Sequence, residues 1–323
     1  MRAIRFETFG GPEVLKIAHV PDPVAGANEA LVKIEAIGVN FVDVYQRTGL
    51  YRNPLPMTPG GEAAGTVIAL GSGAAATIKV GDRVTWQGVP EAYAELAKVP
   101  IDRIVKIPDG VSTDQAAAVM LQGMTAHYLA TSTYPLKTGD TCLIHAAAGG
   151  VGLLFCQIAS RIGAHVIGTA STLGKAALAK AAGASEIIDY TKQDFAAEVR
   201  RITNGKGVKV VYDSVGRTTW EKSIDCLEPL GMAVFFGNSS GPVPPVDPLI
   251  LMRKGSLFMT RPTLNNYVAT REALLMRATA VLSAVASGDL KVRIERTFPL
   301  AKAGDAHALL ESRKTSGKVL LKP

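Results

Sequence analysis

A glycine-rich stretch is the part of the sequence whose residue types and spacing point most directly to chemistry. Residues 147–152 read AAGGVG, between the apolar run TCLIHAA and a stretch with helical spacing. This pattern fits the dinucleotide fingerprint, with Ala147 in place of the first glycine. Gly149 lets the backbone approach a pyrophosphate, Gly152 lets the helix pack closely, and the helix start at Gly150 and Val151 offers N–H groups. We predict a dinucleotide site here, the alternative being only a tight turn.

The residues after the second predicted strand bear on the choice between NAD and NADP. An NAD site normally places a carboxylate about 20 residues beyond the glycines, where it binds the ribose 2′-hydroxyl. No Asp or Glu occurs between Gly152 and Glu186, and Ser171 and Lys175 stand in that region, with Tyr190 ending the next predicted strand. A hydroxyl and an ammonium suit a 2′-phosphate. Taken alone, Lys175 would be interpreted as a solvated charge at a helix start, but the missing acid favours NADPH as the cofactor.

The histidines and cysteines show no spacing typical of a metal site. The five histidines form no HxxxH pair and the three cysteines no CxxC pair, whereas a catalytic zinc needs about three protein ligands. We therefore predict no metal. His145 is interpreted as a hydrogen-bonded core histidine, and Cys142 and Cys156 as small core residues.

Strand and helix patterns alternate from about residue 123 to 264. The helix after the glycines buries one face, with Val151, Leu154, Phe155, Ile158 and Ile162 at spacings of three and four. The later segments continue this order. TWEKSIDCLEPLG is predicted to be a helix closed by Gly231, and MAVFFGN is predicted to be a strand. Such alternation predicts an α/β fold with a doubly wound parallel sheet and helices on both faces.

The two ends of the chain have a different pattern from the middle. Short β-like segments separated by Gly, Pro and Asp turns fill the first 120 residues, and KVRIERTFPL and KVLLKP near the end are also β-like. We predict a β-rich domain formed by residues 1–122 and 265–323, and a dinucleotide-binding domain over residues 123–264. A ligand cleft between the two is expected.

Composition and charge limit the class of protein. The 323 residues are 47% hydrophobic, enough for two cores. The net charge of +7 is scattered rather than massed in a basic–aromatic stripe, which favours a phosphate-bearing ligand and solubility over nucleic acid. Few and dispersed cysteines favour a reducing cytoplasm, and the short apolar runs and polar N-terminus argue against a membrane span or signal peptide.

Several collinear blocks carry a family resemblance. The most specific is GDTCLIHAAAGGVGLLFCQIAS, residues 139–160, and further blocks are GGPEVL, GVNFVDVYQRTGLY, PGGEAAGTV, AAAVMLQGMTAHYL, VVYDSVG, FGNSSGPV, TRPTL and ESRKTSG. With these blocks the chain resembles the medium-chain dehydrogenase/reductase superfamily, and within it the quinone oxidoreductases of the zeta-crystallin type.

The resemblance implies a GroES-like β-rich catalytic domain beside a Rossmann domain, and reduction without zinc. Zinc-dependent members carry a ligand Cys and a GHE block at positions that Asn40 and Gly61 occupy here, and the structural-zinc lobe is missing. Glu62, from the same block, is retained. Close relatives often carry Lys where Gln122 stands, so a role for that charge does not transfer.

Site residues follow from the resemblance position by position. Asn40, Asp43 and Tyr45 are expected near the nicotinamide and the substrate, and Tyr51 and the Gln122–Thr125 segment beside them. Gly149–Gly152 are expected at the pyrophosphate. The residues expected at the 2′-phosphate are Ser171, Lys175, Tyr190 and Arg313, and those at the adenosine or nicotinamide ribose are Ser214, Phe236, Gly237, Asn238 and the Arg261–Leu264 stretch.

Each assignment has an ordinary structural alternative. Tyr45 could simply pack against a helix turn, and Asn40 could simply stabilise a turn. Phe235 and Phe236 could be core residues whose backbone lies near the cofactor. Arg47 and Arg261 could hold loops through hydrogen bonds.

The expected reaction is reduction of a quinone or a conjugated carbonyl by NADPH, through transfer of a hydride or of electrons in separate steps, with Tyr45 or Asn40 hydrogen-bonding the acceptor oxygen. The alternatives are a reductase of activated C=C bonds in enones or alkenals, and an RNA-binding protein of the same fold. The resemblance also implies a homodimer, formed by edge strands near residues 240–262.

Overall fold

The computed structural model describes residues 1–73 and 77–323, and these form two compact units. The first unit comprises Met1–Met124 and Val268–Pro323, and the second comprises Thr125–Tyr267. The unit boundaries follow residues 124 and 267, two and three residues beyond the boundaries expected from the sequence. No helix of the described residues is long and apolar enough to span a membrane.

The strands of the described residues are, in chain order, β1 (Arg2–Arg5), β2 (Lys16–His19), β3 (Glu29–Val39), β4 (Glu62–Leu70), β5 (Arg83–Gln87), β6 (Leu96–Pro100), β7 (Val105–Lys106), β8 (Thr141–Ile144), β9 (His165–Ala170), β10 (Glu186–Asp189), β11 (Val208–Asp213), β12 (Leu227–Phe235), β13 (Phe258–Thr260), β14 (Ile294–Pro299) and β15 (Lys318–Lys322). The α-helices are α1 (Phe41–Arg47), α2 (Thr113–Tyr128), α3 (Gly150–Ile162), α4 (Leu173–Ala181), α5 (Phe195–Ile202), α6 (Trp220–Asp225), α7 (Leu249–Arg253), α8 (Leu264–Tyr267), α9 (Arg271–Ala286) and α10 (Ala303–Glu311).

The second unit contains a six-stranded sheet in the order β10-β9-β8-β11-β12-β13. Every neighbouring pair in it is parallel, because each strand is followed by a crossover that includes a helix. The order reverses between β8 and β11, which is where ligands bind in open sheets of this kind. The predicted doubly wound sheet is confirmed.

One helix boundary in this unit differs from the prediction. Residues Leu227–Gly231, predicted as the end of a helix, belong to strand β12, and α6 ends at Asp225. Pro229 lacks an N–H donor and disfavours helical geometry at the residue before it, so the helix cannot continue. Leu227 instead pairs with Val208 and enters the core.

The first unit is built on a seven-stranded sheet in the order β14-β15-β3-β4-β5-β7, with β6 also pairing with β3. Apolar side chains on one face, among them Ile34, Val67 and Trp86, form its core. Strand β15 lies antiparallel to β3, with Val319 opposite Val39. This register brings Lys318, near the C-terminus, next to Asn40.

Helices α2 and α9, which the sequence reading did not place, also belong to this framework. Gly123 lies on α2, where a Cβ atom would be 2.7 Å from side-chain carbons of Val119 and Val281. The absence of a side chain therefore lets α2 pack closely against α9.

Candidate functional site

Asn40 links the end of β3 to the start of α1. Its backbone N–H donates to Oδ2 of Asp43 over 2.8 Å. A carboxyl in the first turn of α1 thus accepts the hydrogen bond of the residue that precedes the helix. Asn40, Asp43 and Tyr45 are all buried. The sequence GVNFVDVY thus forms a compact turn that fixes the direction of all three side chains.

The amide of Asn40 is fully engaged within the protein. Its Nδ2 donates to the carbonyl of Gly38 over 3.1 Å and to Oε2 of Glu62 over 2.8 Å. Its Oδ1 accepts from Nζ of Lys318 over 2.8 Å and from Nε2 of Gln122 over 3.4 Å. Because an amide nitrogen carries two hydrogens, none is left for a ligand, and the expected hydrogen bond from Asn40 to an acceptor oxygen has no donor in this arrangement.

A second chain of hydrogen bonds extends from Asp43 into the core. Tyr93 Oη lies 3.0 Å from both Oδ2 of Asp43 and Nε2 of His307. Nδ1 of His307 lies 3.3 Å from Nη1 of Arg47, and Arg47 binds Glu311 through both guanidinium nitrogens at 2.9 and 2.8 Å. Asp43 is therefore enclosed by protein groups, and its place near a substrate stays a prediction.

Burial sets the protonation of this chain. Loss of solvation raises the pKa of Asp43 from 3.8 to about 7, against the opposing hydrogen bonds from Asn40 and Tyr93. Burial, together with the charge of Arg47, lowers the pKa of His307 from 6.5 to about 3. At neutral pH His307 is therefore uncharged. The alternative reading of Arg47 as a residue that holds loops is confirmed, since it also donates to the Gly10 carbonyl.

Tyr45 and Tyr51 form an aromatic pair beside this turn. Their ring centroids are 5.3 Å apart in an edge-to-face arrangement, and the Tyr51 N–H donates to the Tyr45 carbonyl over 3.0 Å. Tyr51 is exposed, and Gln122, which reaches Asn40 from α2, is half-buried. The structure thus brings four expected residues of the first unit together: Asn40, Tyr45, Tyr51 and Gln122.

The glycine turn of the second unit adopts the predicted strand–turn–helix geometry. Strand β8 ends at Ile144, Gly149 caps α3, and no side chain of the described residues caps that helix. The first-turn N–H groups of Gly150, Val151 and Gly152 have no acceptor inside the helix. A Cβ on Gly152 would lie 2.7 Å from the carbonyl carbon and oxygen of Ala147, so this position requires glycine. The turn has the geometry of an anion site.

The residues expected at a 2′-phosphate do not all lie in the same unit. Ser171 follows β9 and Tyr190 follows β10, and the Tyr190 N–H donates to the Ala170 carbonyl over 3.3 Å. Lys175 lies in the first turn of α4, where its N–H donates to Oγ1 of Thr172. These three residues share one edge of the sheet. Arg313 follows α10 in the first unit, exposed and with a left-handed φ of 58°.

The carboxyl ends of β11 and β12 bring a further group together. The Phe236 N–H donates to the Asp213 carbonyl over 2.8 Å, and a Cβ on Gly237 would lie 2.9 Å from Cα of Ser214. Phe235 lies in the core, whereas Phe236 and Asn238 are half-buried. The remaining expected residues are Thr125, buried on α2, and Arg261, exposed after β13 with Nη1 donating to the Pro262 carbonyl.

A buried histidine network at the sheet's reversal point supports the glycine turn. His145 lies 3.2 Å from Oγ1 of Thr169 through Nδ1 and 3.0 Å from Oγ of Ser223 through Nε2. The Ser223 hydroxyl donates to Asp213, and Thr169 Oγ1 also accepts from the Ala146 N–H. Burial lowers the pKa of His145. The interpretation of His145 as a hydrogen-bonded core residue is confirmed.

Lys318 and Tyr93 are two of the polar residues of this region that the sequence analysis did not identify. Lys318 is 1% exposed, and its Nζ lies 2.5 Å from Oε2 of Glu62, itself fully buried. Neither residue stands in a recognisable motif, because their partners are distant in sequence. Among residues 1–73 and 77–323, no group of three or more His, Cys, Asp or Glu side chains could hold a metal ion.

Family models match both parts of the chain. One described as an alcohol dehydrogenase GroES-like domain matches residues 26–109, and one described as a zinc-binding dehydrogenase matches residues 150–275. They correspond to the β-rich sheet of the first unit and to most of the parallel sheet of the second.

Full-length relatives are also similar. The quinone oxidoreductase of Pseudomonas aeruginosa is 47% identical over 324 residues, covering 100% of this chain and 99% of the relative. The 2-haloacrylate reductase of a Burkholderia species is 41% identical over 323 residues, covering 97% and 96%. The crystal structure of Escherichia coli quinone oxidoreductase complexed with NADPH is 47% identical, covers 100% of both chains and has a TM-score of 0.97. The chain therefore belongs to the quinone oxidoreductase family of the medium-chain dehydrogenase/reductase superfamily.

Proposed function

We propose that the protein is an NADPH-dependent oxidoreductase that reduces quinones by hydride transfer. The observation that carries this proposal is the set of cofactor-binding features in the second unit. An uncapped helix start follows a glycine turn, and a hydroxyl, an ammonium and a phenol lie at the neighbouring strand ends, where an NAD site has a carboxylate. The relative from Escherichia coli, solved in complex with NADPH, supports the same cofactor.

The residues of this unit hold the dinucleotide by its phosphates. With the cofactor bound, the N–H groups of Gly150, Val151 and Gly152 would hold its pyrophosphate, and Ser171, Lys175 and Tyr190 would bind its 2′-phosphate. Ser214 and the Phe236–Asn238 segment border the ribose. When bound, the cofactor supplies a hydride, and a quinone accepts it readily because reduction makes its ring aromatic.

The residues of the first unit bind the acceptor. The exposed ring of Tyr51, which packs edge-to-face on the buried ring of Tyr45, offers an apolar surface for a flat quinone. Gln122 uses one N–H toward Asn40, and its other N–H has no partner among the described residues. We assign Gln122 as the donor to the acceptor oxygen. Asn40 and Asp43 act behind it as positioning residues, because their own polar atoms face the protein.

We further propose that the reaction proceeds without zinc. The positions that carry zinc ligands in related enzymes hold Asn40 and Gly61 here, and Nζ of Lys318 contacts both Asn40 and Glu62. A metal cation at this point would meet the lysine ammonium and be repelled by it. The residues present therefore do not fit a metal.

A steady-state assay tests the proposal. NADPH and NADH oxidation are compared with 1,4-benzoquinone, 9,10-phenanthrenequinone, an alkenal and 2-chloroacrylate as acceptors. We expect turnover with the quinones and a preference for NADPH. A preference for NADH would contradict the cofactor assignment, and no turnover with any acceptor would contradict the enzyme class.

The same assay distinguishes a second candidate function, reduction of activated C=C bonds. This candidate has support in the 41% identity to a 2-haloacrylate reductase over nearly the whole chain. Both reactions use a hydride and a hydrogen-bond donor to a carbonyl oxygen. If the alkenal or 2-chloroacrylate is reduced with a higher kcat/KM than either quinone, the second candidate is the better description.

We also propose a homodimer that forms through strand β13. This strand is at the end of the six-stranded sheet, and β12 is its only partner among the described strands. Phe258 on β13, with Leu230, Leu249 and Met252, is apolar and exposed, and an unpaired edge of this kind favours pairing with a second copy. Light scattering should give a dimer for the wild type and for the surface control Val24→Glu. It should give a monomer for Phe258→Glu, and a monomeric wild type would refute the proposal.

A further inference from the structure

Two loops expected at the cofactor follow neighbouring strands at the point where the six-stranded sheet reverses. The glycine turn follows β8, and residues 214–216 follow β11. A dinucleotide bound at this point contacts the loops on both sides of it. Four buried side chains connect the two loops through hydrogen bonds, and we call them the histidine network: His145, Thr169, Ser223 and Asp213.

The contacts of the histidine network determine which nitrogen of His145 carries the proton. Ser223 has a single hydroxyl hydrogen, which it donates to Oδ2 of Asp213 over 2.8 Å. Its oxygen therefore accepts from Nε2 of His145, which lies 3.0 Å away. Because burial lowers the pKa of His145, the ring is uncharged at neutral pH and its other nitrogen is an acceptor. Nδ1 thus accepts from the hydroxyl of Thr169 over 3.2 Å.

At one end, the histidine network holds the start of the glycine turn. Oγ1 of Thr169 accepts from the N–H of Ala146 over 3.3 Å. Ala146 has a φ of 52°, in the left-handed region that an alanine rarely adopts, and its carbonyl accepts from the N–H of Gly149 over 2.8 Å. A strained conformation of this kind persists only where the surrounding groups enforce it. Thr169, oriented by His145, is one of the groups that enforce it here.

At the other end, the histidine network holds the loop after β11. Oδ1 of Asp213 accepts from the N–H groups of Val215 and Gly216 over 2.7 and 3.0 Å. Its Oδ2 accepts from Ser223. Ser214, which is expected at the cofactor ribose, lies between Asp213 and these two N–H groups in the sequence. The position of Ser214 therefore depends on the direction of the Asp213 carboxylate.

We infer that His145 is a positioning residue for NADPH. As an uncharged ring with its proton on Nε2, it joins the glycine turn to the loop after β11, so that both loops are in place before the cofactor binds. Loops that are ordered in advance lower the cost of binding. His145 touches no atom of the cofactor in this scheme. The inference rests on the proposed function, in which the turn holds the pyrophosphate.

The test measures the binding of two ligands by calorimetry. NADPH carries the pyrophosphate, whereas adenosine 2′-monophosphate carries only the 2′-phosphate. His145→Phe keeps a ring and its edge-to-face contact with Phe195 but removes both hydrogen bonds, and Ser223→Ala removes only the hydroxyl that follows in the network. Cys226→Ala is the matched control, because Cys226 is buried in the same unit beside the start of β11, at the opposite end of that strand from Asp213.

For His145→Phe and for Ser223→Ala we expect the dissociation constant of NADPH to rise roughly 10-fold, the effect of losing one buried hydrogen bond. Adenosine 2′-monophosphate should bind within about twofold of the wild type, because the N–H groups of Lys175 and Tyr190 have partners outside the network. Cys226→Ala should bind both ligands like the wild type. Because His145 and Ser223 act in one network, their double variant should bind NADPH within about twofold of either single variant.

Three outcomes would overturn the inference. If both ligands bind more weakly by the same factor, His145 stabilises the whole unit and does not position the two loops. If only the melting temperature of His145→Phe and Ser223→Ala falls, the role of the network is structural. If the losses of the two single variants add in the double variant, the two residues act separately and the network does not join the loops.

A measurement on the free protein separates this inference from the proposed function. In protein with 15N-labelled histidine, the signal of His145 is the one absent from His145→Phe. We expect its Nε2 to carry the proton and its Nδ1 to carry none, and we expect the Nε2 proton to exchange faster with solvent in Ser223→Ala. A wild type with this tautomer and no measurable NADPH binding would refute the proposed function, whereas a wild type that binds NADPH with the proton on Nδ1 would refute the inference alone.

Discussion

The hydroxyl of Tyr93 donates a 3.0 Å hydrogen bond to Oδ2 of Asp43, and both side chains are buried. Oδ1 of the same carboxyl has no hydrogen-bond partner among the described residues. Ionising a buried, partly satisfied carboxyl is unfavourable, which agrees with the rise of the Asp43 pKa from 3.8 to about 7. Between these two pH values, Asp43 is protonated in the folded protein and ionised in the unfolded chain.

Asp43 should therefore make the protein less stable as pH rises. Because the folded state holds the extra proton, the contribution of Asp43 to the unfolding free energy is complete below pH 3.8 and is lost as pH rises to about 7. The slope is at most about 1.4 kcal/mol per pH unit. Asp43→Asn, which keeps the shape, should remove this slope. In urea titrations from pH 4 to 8, the unfolding free energy of the variant relative to that of the wild type should rise up to about pH 7. Parallel curves would contradict the prediction.

His307 should have the opposite effect on the acid side. Its pKa falls from 6.5 to about 3 on folding because of burial and the charge of Arg47. The unfolded chain therefore binds a proton that the folded protein does not, and stability is lost as pH falls from 6.5 to about 3. The stability of His307→Gln should fall less steeply as pH is lowered than that of the wild type, as measured by circular dichroism at a fixed urea concentration. His165→Gln, a substitution at an exposed histidine, is the control, and an equal slope in both variants would contradict the assignment.

The parallel sheet could be predicted from the sequence because its signals are local. Most strands from β8 to β12 are short apolar runs, and the glycine turn follows directly after β8, whereas the three-residue strand β13 was not predicted. The one wrong segment, Leu227–Gly231, has the apolar spacing of a helix but contains Pro229. Pro229 prevents the helix from continuing despite this spacing, and the segment pairs with β11 as a strand instead.

The buried network around Asn40 could not be predicted in the same way. Lys318 and Glu62 are 256 residues apart, and Arg47 and Glu311 are 264 residues apart. In the sequence each looks like an ordinary charged residue. Their burial depends on the pairing of β15 with β3, and this register has no local signal. Family resemblance identified Asn40 and Tyr45, but it gave no indication that the Asn40 amide has no hydrogen left for a ligand.

Gly152 should be required for cofactor binding. A Cβ there would lie 2.7 Å from the carbonyl carbon and oxygen of Ala147, and backbone atoms cannot move away cheaply. Overpacking of this kind costs about 1–3 kcal/mol, so Gly152→Ala should weaken NADPH binding roughly 10- to 100-fold. Gly174→Ala is the control, since a Cβ there meets no atom within 4 Å. Equal NADPH dissociation constants in the two variants, measured by calorimetry, would show that the turn tolerates the methyl group.

Lys175 should set the preference for NADPH over NADH. It lies in the first turn of α4, at the sheet edge that also carries Ser171 and Tyr190. A hydrogen bond to a charged group contributes about 1.5–3 kcal/mol, so Lys175→Met should lower kcat/KM for NADPH roughly 10- to 100-fold and leave that for NADH nearly unchanged. Lys180→Met, an exposed position on the same helix, should alter neither value. If Lys175→Met lowers kcat/KM equally for both coenzymes, Lys175 stabilises the helix and does not bind the 2′-phosphate.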